Sequence, residues 1–135
     1  MEAAKHIILK GGDKMPRIGF GTWKIENRDN DIDTLKHAIK IGYRHFDTAE
    51  LYECEDVVGE AIKDSIDSGA TSRADFFITT KVWPSHYDNV AAALDVSLKK
   101  LQTDYVDLFL LHFPIPPLDE SKKSFARLPM QKVWA

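Results

Sequence analysis

The stretch that decides the fold is VDLFLLH at residues 106–112, a nearly unbroken apolar run that ends in a histidine. Continuous apolar runs of this kind are typical of parallel strands whose two faces are both covered. Apolar segments at residues 18–22, 43–47 and 76–82 predict three more strands, and the last strand is expected to span residues 105–112. We therefore expect an α/β fold in which four parallel strands alternate with helices through right-handed crossovers.

Between these strands the apolar residues recur with the period of an α-helix, which predicts three helices. The first is expected to begin at a cap on Asn30 or Asp31 and to stop at Gly42. The second is expected to stop near Gly69, and the third to begin at a cap on Asp88. Their buried faces are predicted to carry Ile32, Leu35, Ala38, Ile39, Val57, Val58, Ala61, Ile62, Val90, Leu94, Leu98 and Leu101.

The two ends of the chain differ from this pattern. Residues 1–18 predict a hairpin whose turn, at residues 11–13, contains two glycines. Residues 113–135 predict a loop, because prolines cannot donate to a strand ladder, followed by the start of a fourth helix at residues 128–135. We expect residues 1–135 to form a single domain with four strand–helix units in residues 18–112.

Composition excludes several classes of function. The 135 residues are 44% hydrophobic and 29% charged with a net charge of −3, and this balance argues against nucleic-acid and membrane-surface partners. The first ten residues have only three apolar residues in a row, so we expect no signal peptide. A single cysteine, Cys54, cannot form an internal disulfide, which favours a reducing compartment and a cytoplasmic location.

Four ionisable residues lie at or just past the ends of the apolar segments. Asp47 ends the second predicted strand and Tyr52 follows it, Lys81 lies at the end of the third, and His112 ends the fourth. The carboxyl ends of parallel strands gather around one point, so an acid, a phenol, an amine and an imidazole are expected to share one pocket. The pattern predicts a proton-transfer site.

Several motifs resemble one known family, the aldo-keto reductases. These motifs are GYRHFDTA at residues 42–49 with Tyr52, Glu55 and Val58-Gly59 after it, GFGTW at 19–23, TTKVW at 79–83 and LLHFP at 110–114. The resemblance implies a (β/α)8 TIM barrel, of which this chain would carry the amino-terminal half. Phe113 before Pro114 is similar to the aldose and xylose reductase branch.

The resemblance also implies a reaction, the NADP(H)-dependent reduction of aldehydes or ketones, aldoses among them, to alcohols. Hydride transfer leaves charge on the carbonyl oxygen, which then needs a proton donor. Tyr52 resembles the family's general acid, Lys81 would favour its phenolate, Asp47 would pair with Lys81, and His112 would orient the carbonyl. The implied cofactor is NADPH, with NADH not excluded, because no side chain carries a hydride.

Further site residues follow from the same resemblance. Those expected to contact the cofactor are Gly21, Thr22, Trp23 and Asp47, and those expected to line the substrate cleft are Trp23, Leu51, Trp83 and Phe113. We expect no metal, because His6, His37 and His86 share no ligand spacing with Cys54 or with one another. The expected partner is a small carbonyl compound.

Other interpretations stay open on the sequence. The runner-up fold is a Rossmann half-domain, and Asp47 with Lys81 would also suit a structural ion pair. His45 alternates with Asp47 and is expected to pack inside the barrel. The alternative function is an inactive half-barrel that serves as an interaction module.

A half-barrel would also leave part of its sheet uncovered. We expect it to expose strand edges at residues 18–22 and 105–112 and the inward residues Phe77, Leu108 and Leu110. The isolated chain is then expected to self-associate and to bind NADPH weakly, whereas a full-length form would be a monomer or a weak dimer.

Overall fold

The computed structural model describes residues 5–25 and 28–114, with residues 28 and 29 as backbone only. The described chain forms a short hairpin followed by alternating strands and helices. The elements are β1 His6–Ile8, β2 Lys14–Pro16, β3 Phe20–Gly21, α1 Arg28–Lys40, β4 His45–Asp47, α2 Glu55–Asp67, β5 Phe77–Val82, α3 Val90–Leu101 and β6 Leu108–Leu111. Short 3-10 turns occupy Glu50–Tyr52, Arg73–Asp75 and Pro84–His86.

The central sheet has four strands in the order β3-β4-β5-β6, and every neighbouring pair is parallel. The predicted alternation of four parallel strands with three helices is confirmed. All four parallel strands follow chain order, whereas in the Rossmann order 3-2-1-4 the fourth strand lies on the other side of the first, so the runner-up fold is wrong. The register pairs Gly21 with Asp47 and Lys81 with Leu110, which brings the carboxyl ends of the strands to one rim.

The core lies between the sheet and the three helices. Leu35 of α1, Phe46 of β4 and Ile78 of β5 are fully buried, and Leu101 at the end of α3 is 2% exposed. Gly42 and Gly69 have positive φ values of 108° and 76°, each two residues past the last residue of α1 and of α2. Both predicted helix ends are therefore confirmed, since glycine adopts this left-handed conformation without a Cβ penalty.

Several predicted boundaries differ from the structure. Helix α1 begins at Arg28, before the cap expected at Asn30 or Asp31. The cap of α3 is Asn89 rather than Asp88, and its Oδ1 accepts a hydrogen bond from the backbone N–H of Ala92 at 3.3 Å. The helix expected at residues 128–135 lies outside the described residues.

The strands are shorter than the apolar segments that predicted them, and β6 shows one reason. The backbone N–H of Ile78 donates to Asp107 Oδ2 at 2.8 Å, where a backbone carbonyl would otherwise extend the ladder. Asp107 Oδ2 also pairs with Arg73 Nη2 at 2.8 Å. The backbone N–H of Asp107 still donates to the carbonyl oxygen of Ile78 at 3.0 Å, so the carboxylate takes over only the Ile78 N–H, and the regular strand begins at Leu108.

The hairpin is joined to the sheet through His45. Nδ1 of this imidazole lies 3.3 Å from the carbonyl oxygen of Pro16 in β2, and Nε2 lies 3.2 Å from Thr79 Oγ1 in β5. Its ring packs edge-on against Phe77 at 5.0 Å. His45 therefore has a packing role, as predicted. Phe77 is buried, so the expectation that it would be uncovered is wrong, whereas Leu110 is 38% exposed.

Candidate active site

Lys81 is the centre of a polar cluster at the carboxyl rim of the sheet. Strand β5 carries it, and its Nζ donates to Asp47 Oδ1 at 2.7 Å, to the carbonyl oxygen of Thr48 at 2.9 Å and to the hydroxyl of Tyr52 at 3.2 Å. An ammonium group has three donors, and all three are used here. The amine is therefore held in one position between a carboxylate and a phenol.

Tyr52 lies on the short turn that follows β4. Its backbone N–H donates to the carbonyl of Ala49 at 3.0 Å, and Glu53 ends the turn with a φ of 54°. The phenol ring lies 4.8 Å from the ring of Trp23 and 5.7 Å from that of His112. The turn therefore places the hydroxyl over the end of β5, between the ends of β3 and β6.

His112 directly follows β6, and its backbone N–H donates to the carbonyl of Val82 at 3.1 Å. Its Nδ1 is buried and has no hydrogen-bond partner among the described residues. Burial lowers the pKa of this imidazole, and the positive charge of Lys81 lowers it further, while Asp47 opposes the shift. The ring is therefore neutral at neutral pH and can donate or accept a hydrogen bond.

Aromatic side chains surround these polar groups. The ring of Trp83 lies 5.3 Å from that of His112 and 5.6 Å from that of Phe113. Trp23 is 55% exposed and Phe113 is 43% exposed, and Leu51 is also exposed. The structure thus brings Trp23, Trp83 and Phe113 around the cluster, and Leu51 lies beside Tyr52 in the chain.

The remaining predicted site residues lie beneath Asp47. Gly21 pairs with Asp47 in the sheet. The side chain of Thr22 is fully buried, and both its Oγ1 and its backbone N–H donate to the carbonyl oxygen of Asp47, at 3.1 Å and 3.0 Å. Thr22 therefore fixes the backbone of Asp47 from the core side.

Two residues that the sequence analysis did not identify also touch this cluster. Glu50 Oε2 accepts a hydrogen bond from the backbone N–H of Trp83 at 2.9 Å. The hydroxyl of Tyr87 donates to the carbonyl oxygen of Phe113 at 2.7 Å and accepts from the same residue's N–H at 3.0 Å. No local pattern marks either residue, because each contact joins positions 26 or 33 residues apart.

The described residues contain neither a candidate membrane span nor a candidate metal site. No helix in residues 28–114 is long and apolar enough to cross a membrane. Across the same part of the chain and residues 5–25, we found no group of three or more His, Cys, Asp or Glu side chains that could hold a metal ion.

Comparison with known proteins gives consistent matches. The model of the aldo/keto reductase family matches residues 17–135. The chain is 46% identical over 110 residues to an NADP-dependent D-sorbitol-6-phosphate dehydrogenase of Malus domestica, an alignment that covers 82% of this chain and 35% of that protein.

Two further relatives come from a yeast and a bacterium. An NAD(P)H-dependent D-xylose reductase of Scheffersomyces stipitis is 48% identical over 124 residues, with 84% of this chain and 37% of that protein covered. The methylglyoxal reductase DkgA of Escherichia coli is 42% identical over 113 residues, with 84% and 39% covered. The chain therefore spans well under half the length of each relative.

Proposed function

The chain belongs to the aldo/keto reductase family, and from the geometry of its rim we propose that it carries the proton-donating site of an NADP(H)-dependent reductase of aldehydes or ketones. The family fold is a (β/α)8 barrel, and the hairpin and parallel sheet correspond to its amino-terminal half. The observation that carries the proposal is the Lys81 ammonium, which is hydrogen bonded to Tyr52 and Asp47 at the same time.

In this proposal Tyr52 is the general acid. Reduction of a carbonyl develops negative charge on its oxygen, and the Tyr52 hydroxyl donates the proton that neutralises it. The Lys81 Nζ lies 3.2 Å from the Tyr52 hydroxyl oxygen, so its positive charge faces the negative charge that develops there as the proton leaves. Asp47 and the carbonyl of Thr48 hold that cation, so it needs no rearrangement during the reaction.

His112 orients the carbonyl in the same scheme. Burial and the charge of Lys81 lower the pKa of this imidazole, so it stays neutral and can donate a hydrogen bond to the substrate oxygen. A second donor beside Tyr52 restricts the carbonyl to one approach direction. Orientation of this kind supplies a large share of the rate of many enzymes.

The residues of the rim fit the reacting end of a nicotinamide cofactor. A buried imidazole nitrogen without a partner, a phenol and partly exposed aromatic rings line one side of the cluster. We propose that Gly21, Trp23 and Asp47 contact this end of NADPH, with NADH not excluded, whereas Thr22 is fully buried and supports Asp47 from the core side instead of contacting the cofactor as expected. When bound, the reduced cofactor supplies the hydride.

The substrate is proposed to be a small aldehyde or ketone, aldoses among them. Trp23, Trp83, Phe113 and Leu51 would form the apolar wall of its cleft, while Tyr52 and His112 take the carbonyl oxygen. The names of the relatives are consistent with this range, since they refer to xylose, methylglyoxal and a phosphorylated sugar alcohol. The free, buried thiol of Cys54 supports a cytoplasmic location.

The second candidate function is a non-catalytic interaction module. The last strand of the described sheet leaves Leu110 and Leu111 38% and 44% exposed, and exposed apolar residues on a sheet edge favour association with another chain. In this candidate the rim cluster would serve only as a structural ion pair. Aldehyde-dependent turnover distinguishes the two candidate functions, because only the reductase would show it.

The test is NADPH oxidation with a panel of small aldehydes and aldoses. It is run on the purified chain and on a hybrid in which residues 17–114 replace the matching stretch of the Scheffersomyces stipitis xylose reductase. We expect aldehyde-dependent oxidation by the hybrid, and weak, unsaturated NADPH binding by the chain alone. A folded hybrid that binds NADPH but gives no aldehyde-dependent oxidation would contradict the proposal and favour the interaction module.

A further inference from the structure

A short turn behind the site contacts the three segments that carry Tyr52, Lys81 and His112. This rim turn, residues 83–87, directly follows the strand that carries Lys81. Its own backbone closes it, with the N–H of His86 donating to the carbonyl of Trp83 at 3.0 Å and the N–H of Tyr87 to that of Pro84 at 3.3 Å. Pro84 fixes the φ angle at the start of its 3-10 helix. The rim turn is therefore a compact unit attached to β5.

One end of the rim turn holds the segment that carries Tyr52. The carboxylate of Glu50, two residues before Tyr52, accepts the backbone N–H of Trp83 through Oε2 at 2.9 Å and faces His86 Nδ1 through Oε1 at 2.5 Å. One side chain thus contacts both the first residue of the rim turn and an imidazole near its end. The 3-10 turn with Tyr52 is thereby tied to the strand with Lys81.

The other end holds the segment that carries His112. The Tyr87 hydroxyl makes two hydrogen bonds, one as donor and one as acceptor, to the carbonyl and the N–H of Phe113. The Tyr87 side chain is buried, so water does not compete freely for these two backbone groups. The residue next to His112 is therefore held at both of its main-chain polar atoms.

We propose that Glu50 and Tyr87 are positioning residues that use the rim turn to fix the spacing of Tyr52, Lys81 and His112. Neither touches the reacting atoms; each acts on the backbone that carries a site residue. The proposal rests on the proposed function in one respect, namely that the spacing of these residues serves catalysis. The contacts themselves are independent of any reaction.

Each residue needs its particular chemistry for this role. A hydroxyl both donates and accepts, so Tyr87 can satisfy the N–H and the carbonyl of one residue, which phenylalanine cannot do. Glu50 needs an acceptor oxygen for the N–H of Trp83, and a glutamine amide would supply one without the charge. Tyr87→Phe therefore removes only the hydroxyl that holds Phe113. Glu50→Ala removes both the acceptor oxygen and the charge, whereas Glu50→Gln removes the charge alone.

The first experiment is an NMR titration of the His112 imidazole in the purified chain. The groups that face His112 are Lys81 from β5, Asp47 from β4 and the phenol of Tyr52. In Tyr87→Phe we expect the pKa of His112 to rise toward its ordinary value. The His112 imidazole is then no longer held in place, so it becomes more exposed to water and moves away from the Lys81 charge. The matched control is Tyr43→Phe, whose hydroxyl makes no hydrogen bond among the described residues and whose ring packs on Phe20.

The second experiment compares the His112 titration in Glu50→Ala and in the conservative variant Glu50→Gln. Glu50→Ala is expected to shift the His112 titration in the same direction, because the Trp83 ring packs on His112 and loses its backbone anchor. Glu50→Gln is expected to keep the wild-type titration. Where turnover is measurable, Tyr87→Phe and Glu50→Ala should each lower kcat/KM by about 10- to 100-fold, the effect of a small misplacement of reacting groups.

The titration is independent of the reaction, so the two proposals can fail separately. A wild-type site without turnover would contradict the proposed function and leave the titration result valid. The positioning role is overturned if Tyr87→Phe and Glu50→Ala leave the His112 titration where Tyr43→Phe leaves it, because a residue that only stabilises the fold does not move that signal.

Discussion

The amine of Lys81 lies 3.2 Å from the hydroxyl oxygen of Tyr52, although 29 residues separate them in the chain. Two elements bring them together: a parallel strand that ends at the rim, and a 3-10 turn that folds over the end of the neighbouring strand. The same rim receives Asp47 and His112. The site is therefore a direct consequence of parallel strands that end at one level.

Protonation of His112 is expected to destabilise the folded chain. Burial and Lys81 lower its pKa below the ordinary 6.5, so on acidification the unfolded chain binds the proton before the folded chain does. The stability linked to His112 is thus fully present above about pH 6.5 and is lost as the pH falls from there toward the lowered value. Urea unfolding at about pH 7.5 and about pH 5 measures this change.

The matched variants for this prediction are His112→Asn and His37→Asn. The first should lose part of the acid-induced fall in the free energy of unfolding, and the second, an exposed helix position, should keep it. An equal fall in both variants and the wild type would show that His112 is not an acid-sensitive group of the fold.

Gly59 is expected to tolerate no side chain. A Cβ at this position of α2 would lie 2.6 Å from the carbonyl oxygen of Lys100 and 2.7 Å from the Cα of Leu101, and backbone atoms cannot move aside as a flexible side chain can. Gly59→Ala should lower the free energy of unfolding by about 1–3 kcal/mol, the usual cost of overpacking.

Gly21→Ala is the control for this variant, because a Cβ there meets nothing within 4 Å. Thermal or urea unfolding compares the two proteins. If Gly59→Ala is no less stable than Gly21→Ala, helices α2 and α3 do not pack as closely as described.

The exposed end of β6 is expected to drive self-association. Leu110 and Leu111 are 38% and 44% exposed at the edge of the described sheet. Sedimentation of the purified chain should therefore show dimers or larger species, and Leu110→Lys or Leu111→Lys should shift the population toward monomer, because edge charges oppose strand pairing. Val96→Lys on the outer face of α3, where Val96 is 50% exposed, should leave the distribution unchanged. A monomeric wild-type chain would refute this prediction.

The sequence predicted the parts of the structure that depend on local patterns. Apolar runs predicted the strands that end near Asp47, Lys81 and His112, and glycines predicted two helix ends, because periodicity and backbone conformation are properties of neighbouring residues. Contacts between distant segments have no such signature. The acceptor role of Glu50, the double hydrogen bond of Tyr87 and the cover over Phe77 therefore appeared only in the folded chain.

The predicted first residues of two helices were wrong for a related reason. Asn89 and Asp88 are both good capping residues, and only the backbone geometry selects Asn89. The start of α1 at Arg28 lies before both residues that were expected to cap it. Where several polar residues precede a helix, the sequence pattern does not determine which of them is the cap.

The most direct test of the site is the turnover of Tyr52→Phe against the wild type, measured in the hybrid with NADPH and a small aldehyde, with NADPH affinity measured in parallel. Loss of a positioned general acid should lower kcat by about 10²- to 10⁴-fold while cofactor affinity stays the same, because the ring that packs on Trp23 remains. Tyr43→Phe should turn over like the wild type. Near-normal turnover by Tyr52→Phe would contradict the assignment of Tyr52 as the proton donor.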